Sequence, residues 1–158
     1  MKEEIQIEYF IDKGNFGTER EIYFGMSREH LLNLLGESKW VQKNRKTISP
    51  SIYKYDKVEF YFENDINGRL YGIQIIPGIE SVPKLNLKIN YNFIHSKLKY
   101  KEAIDHLDMK SIPYKFIKYK YDEIGSPDRI ITSGNVELIF DDSFIIEKIS
   151  KFIIFDQE

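Results

Sequence analysis

The chain predicts an α+β fold made of two tandem helix-plus-antiparallel-sheet units, residues 1–80 and 81–158, sharing one continuous sheet in one compact globular body. Three observations predict it. Eleven Tyr and eleven Phe accompany abundant Ile, and aromatic and β-branched side chains suit a pleated surface. Alanine occurs only at Ala103, which argues against a helical bundle. A short helix followed by alternating strands occurs twice along the chain.

The elements follow in order. Ile5, Ile7, Tyr9 and Ile11 alternate with Gln6, Glu8 and Phe10, the period of two of a half-buried strand. Gly14-Asn15-Phe16-Gly17 is a turn, after which a strand near Glu19 to Phe24 returns to pair with the first. Ser27 is a suitable N-cap, Leu31, Leu32, Leu34 and Leu35 form an apolar stripe, and Gly36 ends the helix. The polar stretch from there to Pro50 reads as a loop. Strands follow at Ile52–Tyr55, Val58–Glu63 and Leu70–Ile76, with Asn67-Gly68 turning between the last two.

Pro77 to Lys84, with Gly78 and Pro83, is the linker. Beyond it Leu85, Leu87, Ile89 and Tyr91 alternate as a strand, and Leu98, Ala103, Ile104 and Leu107 form a second helical stripe. Ile112–Tyr121, Arg129–Thr132, Val136–Phe140 and Ile145–Phe155 read as strands. A shift of 78 lays Val58 to Asn64 on Val136 to Asp142, and Ile75-Ile76 on Ile153-Ile154. A shift of 72 lays Met26, Leu31, Leu32 and Leu35 on Leu98, Ala103, Ile104 and Leu107. Matches in the same order across helix and strands point to an internal duplication.

The stretch Gly25-Met26-Ser27-Arg28-Glu29-His30-Leu31-Leu32-Asn33-Leu34-Leu35-Gly36, with strands after it, resembles the G-M-[ST]-x-x-x-[VL]-x-x-L-L-G helix of bacterial small α/β repeat proteins. That group includes the β-lactamase inhibitor protein and the small outer-membrane barrel-assembly lipoproteins. Glu37-Ser38 departs from the pattern, which commonly has Pro there. The resemblance implies a protein-binding role, and for a cytosolic member a toxin-neutralising immunity protein.

Composition excludes several function classes. There is no cysteine, which removes disulfides, thiolate catalysis, Cys-ligated zinc and a lipid-accepting Cys. Charge and apolarity alternate over Met1 to Ile7, unlike a signal peptide, and no run reaches the ~18 apolar residues of a membrane span. The expected compartment is the cytoplasm. A net charge of −2 with dispersed Lys and Arg shows no basic excess of the kind a nucleic-acid binder carries, and none is expected as a partner; the cations Lys39, Lys43, Arg45 and Lys46 around Trp40 read as a solvated loop.

No chemistry-bearing constellation emerges. His30, His95 and His106 lack the i, i+3 or i, i+4 spacing of helical zinc ligands. P-loop, nucleophile-elbow and dinucleotide patterns are missing, and Ser126-Pro127-Asp128 and Thr132-Ser133-Gly134 are turns. Asp141-Asp142 lie adjacent on an extended segment, so their carboxylates point to opposite faces. The expectation is no catalytic group, no metal and no cofactor.

Strand alternation supplies the candidate site. Val58, Phe60 and Phe62 face the helix, leaving Glu59, Tyr61 and Glu63 on the other face; in the second unit Val136, Leu138 and Phe140 leave Glu137, Ile139 and Asp141. Those six residues form the expected protein-binding platform on an open sheet face. The last strand, rich in Ile and Phe, is either buried on both sides or an interface edge. The function expected is a non-enzymatic protein-binding module, an immunity-type inhibitor that neutralises a bacterial toxin through this face. Two other readings stay open. One is an enzyme or small-ligand protein with a cleft between the repeats. The other is a structural module that self-associates through the C-terminal strand.

Overall fold

The structure is a computed structural model that describes residues 3–6, 22–43, 50–77, 87–90, 93–117, 129–141 and 148–155. It is α+β, with more strand than helix. Strand β1 spans Glu3–Gln6, helix α1 Arg28–Leu35, then β2 Trp40–Lys43, β3 Pro50–Tyr55, β4 Val58–Phe62 and β5 Leu70–Ile75. Strand β6 spans Leu87–Asn90, helix α2 Tyr100–Met109, then β7 Tyr114–Ile117, β8 Arg129–Thr132, β9 Val136–Asp141 and β10 Lys148–Phe155. Strands β1 and β6 pair in parallel. The other strands pair antiparallel in the order β2-β3-β4-β5-β10-β9-β8-β7.

Local chemistry accounts for both helices. The Ser27 hydroxyl accepts the His30 N–H at 3.2 Å, closing the first turn of α1. Gly36, at φ 80°, ends it, and the Tyr55 hydroxyl donates to the Gly36 carbonyl at 2.8 Å. Lys99 precedes α2 and has no side-chain acceptor for a cap, but its backbone N–H donates to Glu102 Oε2 at 3.0 Å, half of a capping box. One hydrophobic cluster joins Leu31 and Leu35 of α1, Ala103 and Leu107 of α2, and the inward residues of the sheet. No helix among the described residues is long and apolar enough to cross a membrane.

Arg28, the first residue of α1, ties the helix to three strand ends. Its Nε donates to the Pro50 carbonyl at 2.6 Å, Nη1 to those of Asp65 at 2.9 Å and Gly68 at 3.3 Å, and Nη2 to that of Glu63. The guanidinium lies 5.3 Å from the centre of the Phe62 ring. Two backbone bonds reinforce the junction: Gly25 N–H to the Leu70 carbonyl at 2.8 Å, and Leu70 N–H to the Met26 carbonyl at 3.0 Å. Gly68 is buried beneath this clamp. A Cβ there would run into the Glu63 carbonyl.

The structure corrects several expectations. Trp40–Lys43 is a strand paired with β3 rather than loop; Ser38 Oγ lies within hydrogen-bonding distance of the Trp40 and Lys54 carbonyls and starts the pairing. Ile22 to Phe24 is not strand but the approach to α1, and the rest of that expected strand lies outside the described residues. Among the described residues β1 pairs with β6. The described part of the C-terminal strand lies between β5 and β9, which removes its reading as an interface edge. Most of the Pro77–Lys84 linker, and Ser126-Pro127-Asp128, lie outside the described residues.

Arg28→Lys keeps the charge but loses the planar fork that reaches several carbonyls at once. It should lower unfolding stability by roughly 2 kcal/mol, the scale of lost charge-assisted hydrogen bonds. Gly68→Ala should cost about 1–3 kcal/mol through forced backbone movement. Urea unfolding of both variants checks this, and an unchanged midpoint for either would remove the clamp from the account of stability.

Candidate functional site

The described alternation on β4 is strict: Val58, Phe60 and Phe62 are buried, while Glu59 and Tyr61 are half-buried on the opposite face. Register extends that opposite face across the sheet. Trp40 stands opposite Lys54, Lys54 opposite Glu59, and Glu59 opposite Gln74. Gln74 is in turn opposite Ile153, and Ile153 opposite Glu137.

Glu59 organises the first half of this row. Its Oε2 accepts from the Tyr61 hydroxyl at 2.7 Å and from Gln74 Nε2 at 3.1 Å. Its Oε1 lies 3.4 Å from Lys54 Nζ, and that ammonium is 5.8 Å from the centre of the Trp40 ring. Burial first, and then the hydrogen bond to Glu59, push the Tyr61 hydroxyl pKa up. At neutral pH Tyr61 is therefore a donor, and the Glu59 side chain is already engaged with three groups.

A β-bulge widens the aromatic part of the face. Tyr61 pairs with Gly72 and Phe62 with Leu70, so Tyr71 is the extra residue. Its ring lies 6.4 Å from that of Tyr61 and is 40% exposed. Gly72 has no side chain to crowd the rings, and Phe155 stands opposite it. Trp40, 48% exposed, continues the surface toward the outer strand.

The six expected platform residues meet different fates. Glu59 and Tyr61 lie on the face as expected. Glu63 follows the end of β4, where its carboxylate accepts the Arg69 N–H at 3.1 Å and closes the turn. Glu137 and Ile139, expected to be open to solvent, are only 6% and 2% exposed. Glu137 Oε1 accepts from Arg129 Nη1. Alternation assigns a side chain to a face but says nothing of whether that face is covered. The Asp141 side chain lies outside the described residues, as does Asp142. Trp40, Lys54, Tyr71 and Gln74 escaped the sequence reading. Gly72 next to Tyr71 inside a strand was the available signal for a bulge.

Chemistry elsewhere is sparse. His30 packs 5.6 Å from Tyr23, His106 stacks on Phe93 at 3.8 Å, and His95 Nδ1 accepts the Lys97 N–H. Among the described residues no group of His, Cys, Asp and Glu could hold a metal ion. A shallow cavity of about 530 Å³ lies at the β7–β8 end of the sheet, lined by Pro113, Tyr114, Lys115, Ile131, Thr132, Ser133 and Asn135. It has no carboxylate or imidazole in its lining, and it is not between the two halves. Comparison with protein-family models, curated proteins and solved structures gives no match to this chain.

Tyrosine burial generates a pH prediction. Burial pushes the Tyr55 hydroxyl to about 12, from an ordinary value of 10.0, and Tyr61 moves the same way. The folded state then holds these protons more tightly than the unfolded chain. Stability should be level below pH 10 on this account and fall as pH rises toward 12. Chemical unfolding at about pH 9 and about pH 11.5 should show the loss, and Tyr55→Phe with Tyr61→Phe should reduce it. An equal alkaline loss in the double variant would assign the effect to other groups.

Proposed function

We propose that this chain is a non-enzymatic protein-binding module, an immunity-type inhibitor that neutralises a bacterial toxin by covering it with the open sheet face of its first half. The observation that carries the reading is the aromatic surface formed by Trp40, Tyr61 and Tyr71, held by the Glu59 network. Partly exposed Trp and Tyr bounded by polar groups are the usual anchors of protein interfaces. The cavity at the sheet edge, without an acid–base pair in its lining, gives an enzyme reading little support.

The molecule is further proposed to be two copies of one unit sharing a sheet. Several pairs of contacts support this beyond the hydrophobic pattern. Met26 N–H bonds the Tyr23 carbonyl and Leu98 N–H the His95 carbonyl, both 72 residues apart. Ile22 and Ile94, equivalent by the same shift, are both buried. Arg28 sits over Phe62, and Tyr100 meets Phe140 edge-on at 5.4 Å. The bulge recurs as well: Tyr61 and Phe62 pair with Gly72 and Leu70, while Ile139 and Phe140 pair with Lys151 and Ile149. This register shifts β5 onto β10 by 79, so Ile75 corresponds to Ile154 rather than to Ile153.

The neighbouring reading frame supplies the functional test. Its product should arrest growth when expressed alone and should be neutralised when this chain is co-expressed. A harmless neighbour would count against the immunity reading. Against an identified partner, Trp40→Ala and Tyr71→Ala should each weaken binding by ~2 kcal/mol, roughly thirtyfold, and move stability by only about 0.5 kcal/mol. Phe60→Ala should instead destabilise the fold by about 3 kcal/mol or more through its cavity. Calorimetric binding and thermal melting of the three variants separate anchor from core.

A further inference from the structure

Resting on that reading, we propose that the surface recognised by this face is acidic: a protein surface with apolar anchors for the aromatic band and carboxylates for the surrounding lysines. The overall charge of −2 would suggest the opposite, so the local inventory decides. Two acids on the strands of this face have described side chains, and both are engaged internally; Glu63, past the end of β4, is exposed, with its carboxylate accepting the Arg69 N–H. Glu59 is held by Tyr61, Gln74 and Lys54. Glu137 is buried against Arg129. Neither offers a carboxylate to an incoming cation without breaking its own network.

The cations differ. Lys151, opposite Ile139 on the same face, is part-exposed. Lys39, just before the outer strand, and Lys43, at its end, are exposed and flank Trp40 in sequence. None of the three forms an ion pair among the described residues. Lys54 shares its charge between Glu59 and the Trp40 ring. An approaching surface therefore meets aromatic rings with a cationic rim. An acidic partner gains from both, while a basic one meets like charge and, among the described residues of these strands, no unengaged carboxylate to offset it. A single-stranded nucleic acid could also use stacked aromatics and lysines. However, Trp40 is engaged by Lys54, and the Tyr61–Tyr71 pair is tilted at 55°, not set as parallel platforms for successive bases.

The test titrates the isotope-labelled full chain by NMR with three synthetic probes at up to about 1 mM, the range of weak anchoring. One is a twelve-residue peptide interleaving Leu and Phe with Asp and Glu. The second replaces every acid by Lys, and the third is a twelve-nucleotide oligo-dT. The acidic peptide should shift the Trp40 indole N–H and the Tyr71 and Gln74 amides saturably. Its affinity should fall at least about tenfold when salt rises from about 20 to about 300 mM. It should also fall about fivefold or more in Lys151→Glu or Lys43→Glu, with unfolding unchanged. Tighter binding of the basic peptide at these residues would overturn the acidic partner and leave the platform standing. Tighter binding of oligo-dT would replace it with a nucleic-acid face. If no probe moves these resonances, the platform falls with it.

Discussion

The fold turns on a single guanidinium. Arg28 begins α1 and satisfies carbonyls from the start of β3 and from the loop joining β4 to β5. A cation at a helix N-terminus is opposed by the helix dipole, so its position is explained by the carbonyls it collects. Because the loop between Glu63 and Gly68 is held from one side, β5 enters the sheet at Leu70 with its position already set. The bulge follows directly after that entry point and puts Tyr71 on the open face beside Tyr61.

Two glutamates in the same row across the sheet are used differently: Glu59 on β4 and Glu137 on β9. Glu59 stays half-exposed and gathers Tyr61, Gln74 and Lys54 around it. Glu137 is buried in a pair with Arg129, an arrangement more important for register than for net stability. Opposite Glu59 stands Gln74, and opposite Glu137 stands Ile153, so the polar row changes to apolar at the middle of the sheet. The row is part-exposed at its Glu59 end and covered at its Glu137 end.

How much could be read in advance follows from what each signal encodes. The α1 boundaries were legible because capping is local: Ser27 and Gly36 act within one turn. Strands β4 and β9 were legible because one face is strictly apolar. Strand β2 was not, since its four residues are all exposed and it exists through pairing with β3, which a polar sequence does not advertise. The burial of Ile139 was illegible for a different reason: covering a face depends on chain distant in sequence. Arg28 reads as one more surface cation until the carbonyls of residues 50 to 68 are seen around it.

On the protein-binding function proposed above, the Glu59 network also bears on the energetics of recognition. Free tyrosine and lysine side chains on a surface lose rotamer freedom when a partner docks, at about 0.5–1.5 kcal/mol for each immobilised rotamer-rich chain. Here Tyr61, Gln74 and Lys54 are already held by one carboxylate, with Lys54 set over Trp40. Much of that ordering cost is met during folding, so it does not subtract from binding. The same carboxylate accepts from the hydroxyl of Tyr61, whose ring lies next to that of Tyr71. Glu59 therefore acts less as an electrostatic contact for a partner than as the group that holds the aromatic surface in shape. Replacing it would disturb recognition even if no partner atom ever touched it.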